Sequence, residues 1–95
     1  MKKEWPLREG IMDALVDDGE SIVQIEEFLK YIKFPSERQQ LKKIIIELLN
    51  ESLIEIAYPP KKNVIDFANS NDETIEDYWF ELTKKGYTEW QKNDY

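Results

Sequence analysis

The chain has 95 residues, of which 41% are hydrophobic and 35% are charged, so it can form the core of one small domain. Twenty acidic side chains against thirteen basic ones give a net charge of -7, which repels DNA and anionic membranes unless the basic residues gather in one place. The lack of Cys and His excludes disulfides, zinc fingers, thiol nucleophiles and imidazole bases. We therefore expect a protein that is not an enzyme and that uses no metal or other cofactor.

No segment has the pattern of a targeting or membrane-spanning sequence. The start, Met1 to Pro6, is not followed by the apolar run that a signal peptide needs, and no uninterrupted apolar stretch approaches the length of a membrane span. We therefore expect a cytoplasmic protein that does not contact membranes. Residues 1–95 are predicted to form a single domain with loose ends at residues 1–5 and 92–95.

Apolar residues that recur at three and four positions predict three helices in the first half of the chain. These helices cover about residues 7–17, 22–32 and 37–51. Ser21 with Gln24, and Ser36 with Gln39, have the spacing of a capping box. We therefore expect Ser21 and Ser36 to cap the helices that follow them.

The hydrophobic pattern changes to alternation in the second half of the chain. Residues 53–58 and 78–82 are predicted to be two strands that pair antiparallel. Residues 59–77 between them are expected to be a long loop, in which residues 64–67 are the candidate for a short third strand. Thr83 has the position of a cap for a short final helix.

Two stretches resemble the winged helix-turn-helix family. Residues 48–54, Leu-Leu-Asn-Glu-Ser-Leu-Ile, are similar to the end of the recognition helix, where a leucine, several polar residues and a glycine precede the aliphatic pair that opens the wing. Residues 78–90 are similar to the second wing strand and the next helix of multiple-antibiotic-resistance-type and phenolic-acid-type (PadR-like) repressors, which share Leu-Thr-x-x-Gly and a large apolar residue four positions later. Ser52 stands where the family has a glycine in a left-handed turn, so Ser52 or Asn50 would have to adopt that conformation.

The resemblance covers roughly residues 7–91 and implies a fold of the α+β class. The expected winged helix-turn-helix has three helices, a two- or three-stranded wing hairpin and a short C-terminal helix. In the repressor motif, Leu82 would point into the core, Gly86 would permit close backbone packing, and Trp90 would lie one turn beyond on the same face. The family binds DNA with the third helix and the wing.

The basic residues are concentrated in the middle of the chain. Residues 28–65 carry seven basic and four acidic side chains, whereas both flanking segments are acidic. On a helical wheel Gln39, Lys43 and Asn50 lie outward on helix 3, where the amides can pair with adenine and the lysine can reach guanine or a phosphate. We therefore predict a small transcriptional regulator that binds double-stranded DNA. Its DNA-contacting residues would be Arg38, Gln39, Lys42, Lys43, Asn50, Lys61 and Lys62.

An acidic protein-interaction module without DNA binding is the alternative, for example an inhibitor, an immunity-type protein or an assembly factor. The net charge favours it, and a polar stripe on helix 3 is also what a helix face in contact with water alone carries. Its contact residues would be Ile46, Trp5, Tyr87 and Trp90, together with the acidic Asp66, Asp72, Glu73, Glu76 and Asp77. The aromatic residues near the chain ends either cover one another or form a homodimer through the terminal helices, and Met12 and Val16 favour the dimer slightly.

Overall fold

The structure, a computed structural model, describes residues 5–33, 36–71 and 73–92, with the side chains of Trp5 and Pro6 outside that description. The elements in chain order are α1 (Trp5–Leu15), β1 (Glu20–Ser21), α2 (Ile22–Tyr31), α3 (Arg38–Asn50), β2 (Ile54–Tyr58), α4 (Val64–Ala68), a 3-10 turn (Thr74–Asp77), β3 (Trp79–Leu82) and α5 (Lys84–Lys92). The strands form a three-stranded antiparallel sheet in the order β1-β3-β2. The predicted α+β class is confirmed. The predicted loose ends lie outside the described residues, except that Trp5 begins α1 and Lys92 ends α5.

The three predicted helices of the first half are confirmed, with ends shifted by one or two residues. At the start of α2, the Ser21 hydroxyl accepts from the Gln24 N–H, and the Gln24 side chain accepts from the Ser21 N–H at 3.1 Å, so the predicted capping box is present. The predicted cap at Ser36 is wrong, because α3 begins at Arg38 with Glu37 in the cap position. Ser36 is one residue too early to cap it, and its buried hydroxyl has no hydrogen-bond partner among the described residues.

The inter-strand segment (residues 59–77) is the main departure from the predicted fold. The predicted strand at residues 64–67 is wrong, because these residues form α4. Asn63 caps this helix: its Oδ1 accepts from the N–H groups of Ile65 and Asp66, and the Asp66 carboxylate accepts from the Asn63 N–H at 2.9 Å. The third strand of the sheet is instead β1, which is too short for a periodic pattern to reveal. The inter-strand segment is therefore not a long structureless loop.

One core connects the helices with the inner face of the sheet. Its fully buried side chains include Ile11, Ile22, Ile25, Leu29, Leu41, Ile44, Ile45, Leu48, Ile54 and Phe80. Phe67 of α4 is also fully buried, and its ring meets Tyr78 and Phe80 edge-to-face, with ring centroids 5.2 and 5.1 Å apart. The inter-strand segment is thus part of the core. Met12 is buried as well, so its predicted contribution to a dimer interface is wrong.

α3 ends in a tight left-handed turn. Ser52 has a φ of 62°, and the N–H groups of Ser52 and Leu53 donate to the carbonyl oxygens of Leu49 and Leu48 at 3.1 and 3.0 Å. This pattern closes the end of a helix and normally places a glycine at the left-handed position. Asn50 stays helical, so Ser52 itself adopts the conformation.

α5 packs against this turn without room for a side chain at Gly86. The Thr83 hydroxyl donates to the carbonyl oxygen of Ser52 and accepts from the Gly86 N–H at 2.9 Å, so the predicted cap of α5 is confirmed. A Cβ atom on Gly86 would lie 1.8 Å from the carbonyl oxygen of Leu53, so the predicted close packing is confirmed too. We call Ser52, Leu53, Thr83 and Gly86 the α3–α5 junction.

Candidate functional site

α3 presents a polar stripe that the rest of the described chain leaves uncovered. Gln39, Lys43 and Asn50 are exposed, and their spacing of four and seven residues places them on one side of the helix. Their side chains form no hydrogen bond or ion pair with any residue that the structure describes. The three side chains that were predicted to contact DNA bases are therefore accessible.

Arg38, in contrast, is already paired. Its guanidinium forms two bonds to Glu26, at 3.0 and 2.6 Å, and a third to Glu76 at 2.8 Å. These hydrogen bonds, first from Glu26 and then from Glu76, raise the pKa of Arg38 above its ordinary value. Arg38 therefore joins α2, α3 and the 3-10 turn, and it is not free to meet a phosphate as expected.

Lys42 is also used inside the chain. Its Nζ donates to the carbonyl oxygen of Ser70 at 2.8 Å and lies 5.9 Å from the centroid of the Phe67 ring. The contact holds the inter-strand segment against α3. Nothing in the pattern of helix 3 could reveal this, because it depends on residues about 28 positions later in the chain.

The lysines after β2 remain exposed. Lys61 and Lys62 are both open to solvent, and Lys61 has a left-handed φ of 67°. Lys62 lines a shallow groove of about 430 Å³ together with Leu49 and Ser52, so it lies near the C-terminal end of α3. Lys43, Lys61 and Lys62 are thus the cations of the predicted DNA site that stay available.

Two carboxylates near the polar stripe are partly neutralised. Arg8 of α1 lies 3.5 Å from a carboxylate oxygen of Glu47 and forms two bonds to Glu51, at 2.9 and 2.8 Å. The repulsion that an unpaired Glu47 would exert on a phosphate is therefore reduced. Ile46 on the same helix is only partly exposed and packs against the core, so the prediction of an exposed Ile46 is wrong.

The terminal aromatic residues whose side chains the structure describes, Tyr87 and Trp90, contact residues of their own chain. The Trp90 indole N–H donates to the Asp13 carboxylate, which ties α5 to α1. Tyr87 is 44% exposed, with its ring centroid 5.7 Å from that of Trp90. The side chain of Trp5 lies outside the described residues.

The acidic residues expected at the surface of a protein-interaction module are partly engaged within the chain and partly exposed. Asp66 accepts a hydrogen bond from the N–H of Asn63 at the start of α4, and Glu76 is bonded to Arg38. Glu73 and Asp77 are exposed, and Asp72 lies outside the described residues.

The outer face of the sheet carries a group of residues that the sequence prediction did not single out. Glu55 of β2 lies directly opposite Glu81 of β3, and Tyr58 lies opposite Trp79. All of these side chains are exposed, Tyr58 by 57% and Trp79 by 39%. We call Glu55, Tyr58, Trp79 and Glu81 the acidic-aromatic face. Alternation in each strand indicated outward residues, but only the register shows which ones are neighbours.

Neither a metal site nor a membrane span is found within residues 5–33, 36–71 and 73–92. No group of three or more acidic side chains there is arranged to hold a metal ion, and no helix there is long and apolar enough to cross a bilayer. Comparison with known proteins gives no match: no family model fits the chain, and no curated protein or solved structure is similar to it. Any assignment of function therefore depends on the residues themselves.

Proposed function

We propose that the chain is a winged-helix domain that binds double-stranded DNA and regulates transcription, with α3 as the recognition helix. The order of α1, α2, α3, β2, β3 and α5 matches the order expected from the resemblance. α2 and α3 form the helix-turn-helix pair in this proposal, and β2 and β3 form the wing hairpin. The capped start of α5 and the close packing at Gly86 agree with the repressor-like motif.

The observation that carries the DNA proposal is the uncovered stripe of Gln39, Lys43 and Asn50. An amide side chain can form two bonds to adenine, and a lysine can reach guanine or a phosphate. α3 has 13 residues, which gives a length of about 20 Å, sufficient for such a helix to lie in the major groove. The stripe holds no exposed apolar side chain that would favour a protein partner.

The proposed phosphate contacts are fewer than the sequence indicated, because Arg38 and Lys42 are engaged within the chain. If Lys43, Lys61 and Lys62 each neutralise one phosphate, the logarithm of the binding constant should fall with the logarithm of the salt concentration at a slope of about -2.7. The net charge of -7 lowers the affinity further.

The test is a titration of a mixed-sequence duplex at about 50 mM salt, where phosphate contacts are strong. We expect Lys43→Glu to abolish binding without a change in thermal stability. Lys92→Glu is the matched control, because it makes the same charge change at the exposed end of α5. Equal losses in the two variants, or no binding by the unaltered chain, would refute the DNA proposal.

The protein-interaction alternative has less support at the residues first chosen for it. Ile46 packs against the core of its own chain, and Trp90 is bonded to Asp13. Tyr87 remains partly exposed. A homodimer through the terminal helices stays a prediction, which sedimentation at several concentrations would test.

A further inference from the structure

The acidic-aromatic face lies on the side of the sheet that the core does not use. Side chains alternate along each strand, so Ile54 and Phe80 point inward and are buried, whereas Glu55 and Glu81 are exposed on the other side. A β-bulge between Ile56 and Tyr58 breaks the alternation at the end of β2. As a result Tyr58 is exposed opposite Trp79, and the two aromatic residues adjoin the two carboxylates on neighbouring strands.

The two carboxylates do not stabilise the fold through any contact that the structure describes. Like charges directly opposite each other destabilise a pair of strands. Neither Glu55 nor Glu81 forms an ion pair with a described residue. Glu81 also borders an open groove of about 570 Å³, where Asp17 and Asp18 outnumber the single cation, Lys84. Glu55 borders a second groove that also holds Lys62, so the field is most negative on the Glu81 side of the face, where a positive group from outside would relieve it.

The aromatic pair adds a second attraction for the same kind of group. A lysine or arginine side chain is attracted to the face of an aromatic ring, and its methylene stem covers apolar surface while its charged end stays hydrated. Exposed Trp79 and Tyr58 can hold the stem, and Glu55 and Glu81 can receive the charged end. Arginine suits such a place best, since its planar guanidinium both stacks on rings and bonds to carboxylates.

We propose that the acidic-aromatic face binds a segment rich in lysine and arginine from a partner protein. The charge of this face disfavours the other candidate occupants, which are nucleic acids, anionic membranes and a second copy of the chain. Nucleic acids and anionic membranes are repelled by Glu55 and Glu81, and a second copy docked on the same face across a two-fold axis would place those carboxylates against their own equivalents. The proposal goes beyond DNA binding and does not depend on it, because it uses neither the stripe on α3 nor Lys61 and Lys62.

The test measures the binding of a fluorescent oligoarginine peptide by anisotropy at about 150 mM salt, where unspecific charge attraction is screened. We expect the double variant E55Q/E81Q to bind about tenfold more weakly, which corresponds to about 1.4 kcal/mol. Trp79→Leu, which keeps an apolar side chain but removes the ring, should also weaken binding. Both changes are at exposed positions, so the variants should fold, and thermal unfolding checks this.

The matched control is E27Q/E37Q, which removes two exposed carboxylates that lie elsewhere, on α2 and just before α3. A change of less than about twofold in this control supports the proposal, because it shows that position matters more than net charge. Equal weakening of both double variants, or unchanged binding in E55Q/E81Q, would overturn it. Self-association of the unaltered chain that E55Q/E81Q abolishes would also overturn it, in favour of a second copy as the occupant.

Discussion

α3 is held at its two ends by different kinds of interaction. At its C-terminal end, the α3–α5 junction consists of backbone hydrogen bonds, the hydrogen bonds of the Thr83 hydroxyl to backbone groups, and a contact at Gly86 with no space for a Cβ atom. Towards its N-terminal end, the inter-strand segment is attached through side chains, by Arg38 to Glu76 and by Lys42 to Ser70. The first attachment is sensitive to volume and the second to charge. The same helix should therefore respond to different perturbations at its two ends.

The largest expected effect is at the junction. Gly86→Val would force the branched side chain into the Leu53 carbonyl, so we expect a loss of more than about 3 kcal/mol or failure to fold. Gln91→Val, at an exposed position of the same helix, is the control and should change stability only slightly. Thermal or urea unfolding measures both, and a Gly86→Val protein as stable as the control would contradict the observed packing.

At the other end of α3, Arg38→Met should cost about 1–2 kcal/mol, because it leaves the partly buried Glu26 without its partner. Lys43→Met removes the same charge from the same helix at an exposed position and should have almost no effect. High salt should reduce the difference in unfolding free energy between the two variants, since salt screens ion pairs. Equal urea midpoints for the two variants would show that the ion-pair attachment adds no stability.

A smaller change of opposite sign is expected within the left-handed turn. Ser52→Gly should stabilise the chain by about 0.5–1 kcal/mol, because glycine adopts a positive φ without steric cost. Asn50→Gly, two residues earlier at the last residue of α3, should instead destabilise it by about 0.3 kcal/mol, because glycine favours a helix slightly less than asparagine does. Urea unfolding of the pair tests the turn, and a less stable Ser52→Gly protein would argue against the left-handed conformation.

The subtlest prediction concerns pH at the end of the inter-strand segment. Burial, and then the charges of Asp66 and Asp77, raise the pKa of Tyr78. The unfolded chain therefore loses this proton first, so stability that is present below about pH 10 is lost as the pH rises towards the folded-state pKa. Tyr78→Phe should remove this part of the alkaline loss, whereas Tyr31→Phe, at a residue that is 83% exposed, should not. Urea unfolding at about pH 7 and about pH 11 measures how much stability each variant loses at alkaline pH. Equal losses of stability in Tyr78→Phe and Tyr31→Phe would contradict the prediction.

Several parts of the fold that depend on near neighbours were predictable, although the cap at Ser36 was not. The capping box of Ser21 and Gln24 and the cap at Thr83 need only residues three positions apart, and both are present. α4 has the same kind of cap at Asn63 and Asp66, and this signal could have identified the helix. Residues 64–67 are instead predicted to be a short strand, since four residues cannot distinguish the two periods.

The candidate sites were predictable to a lesser degree. The wheel correctly left Gln39, Lys43 and Asn50 exposed, because these positions lie opposite a clear apolar stripe. The expectations that Arg38 and Lys42 contact DNA and that Ile46 contacts a partner did not include their contacts within the chain. Arg38 and Lys42 are engaged by residues far along the chain, and Ile46 packs against a core that other elements complete. A helical wheel represents the residues of one helix only, so it cannot show the contacts of that helix with other elements.

The amino-acid sequence by itself determined the three helices of the first half, the strands β2 and β3, and the caps at Ser21 and Thr83, because these follow from periodicity and from contacts within a few residues. Only the tertiary structure decided which charges remain available and which exposed residues become neighbours. The register of β2 and β3 makes Glu55 and Glu81 direct neighbours. The inter-strand segment packs onto α3 and engages Arg38 and Lys42, which are therefore not available at the predicted DNA site. The physical reason is that hydrogen bonds and ion pairs act over a few ångströms in space, whatever the separation of their partners along the chain.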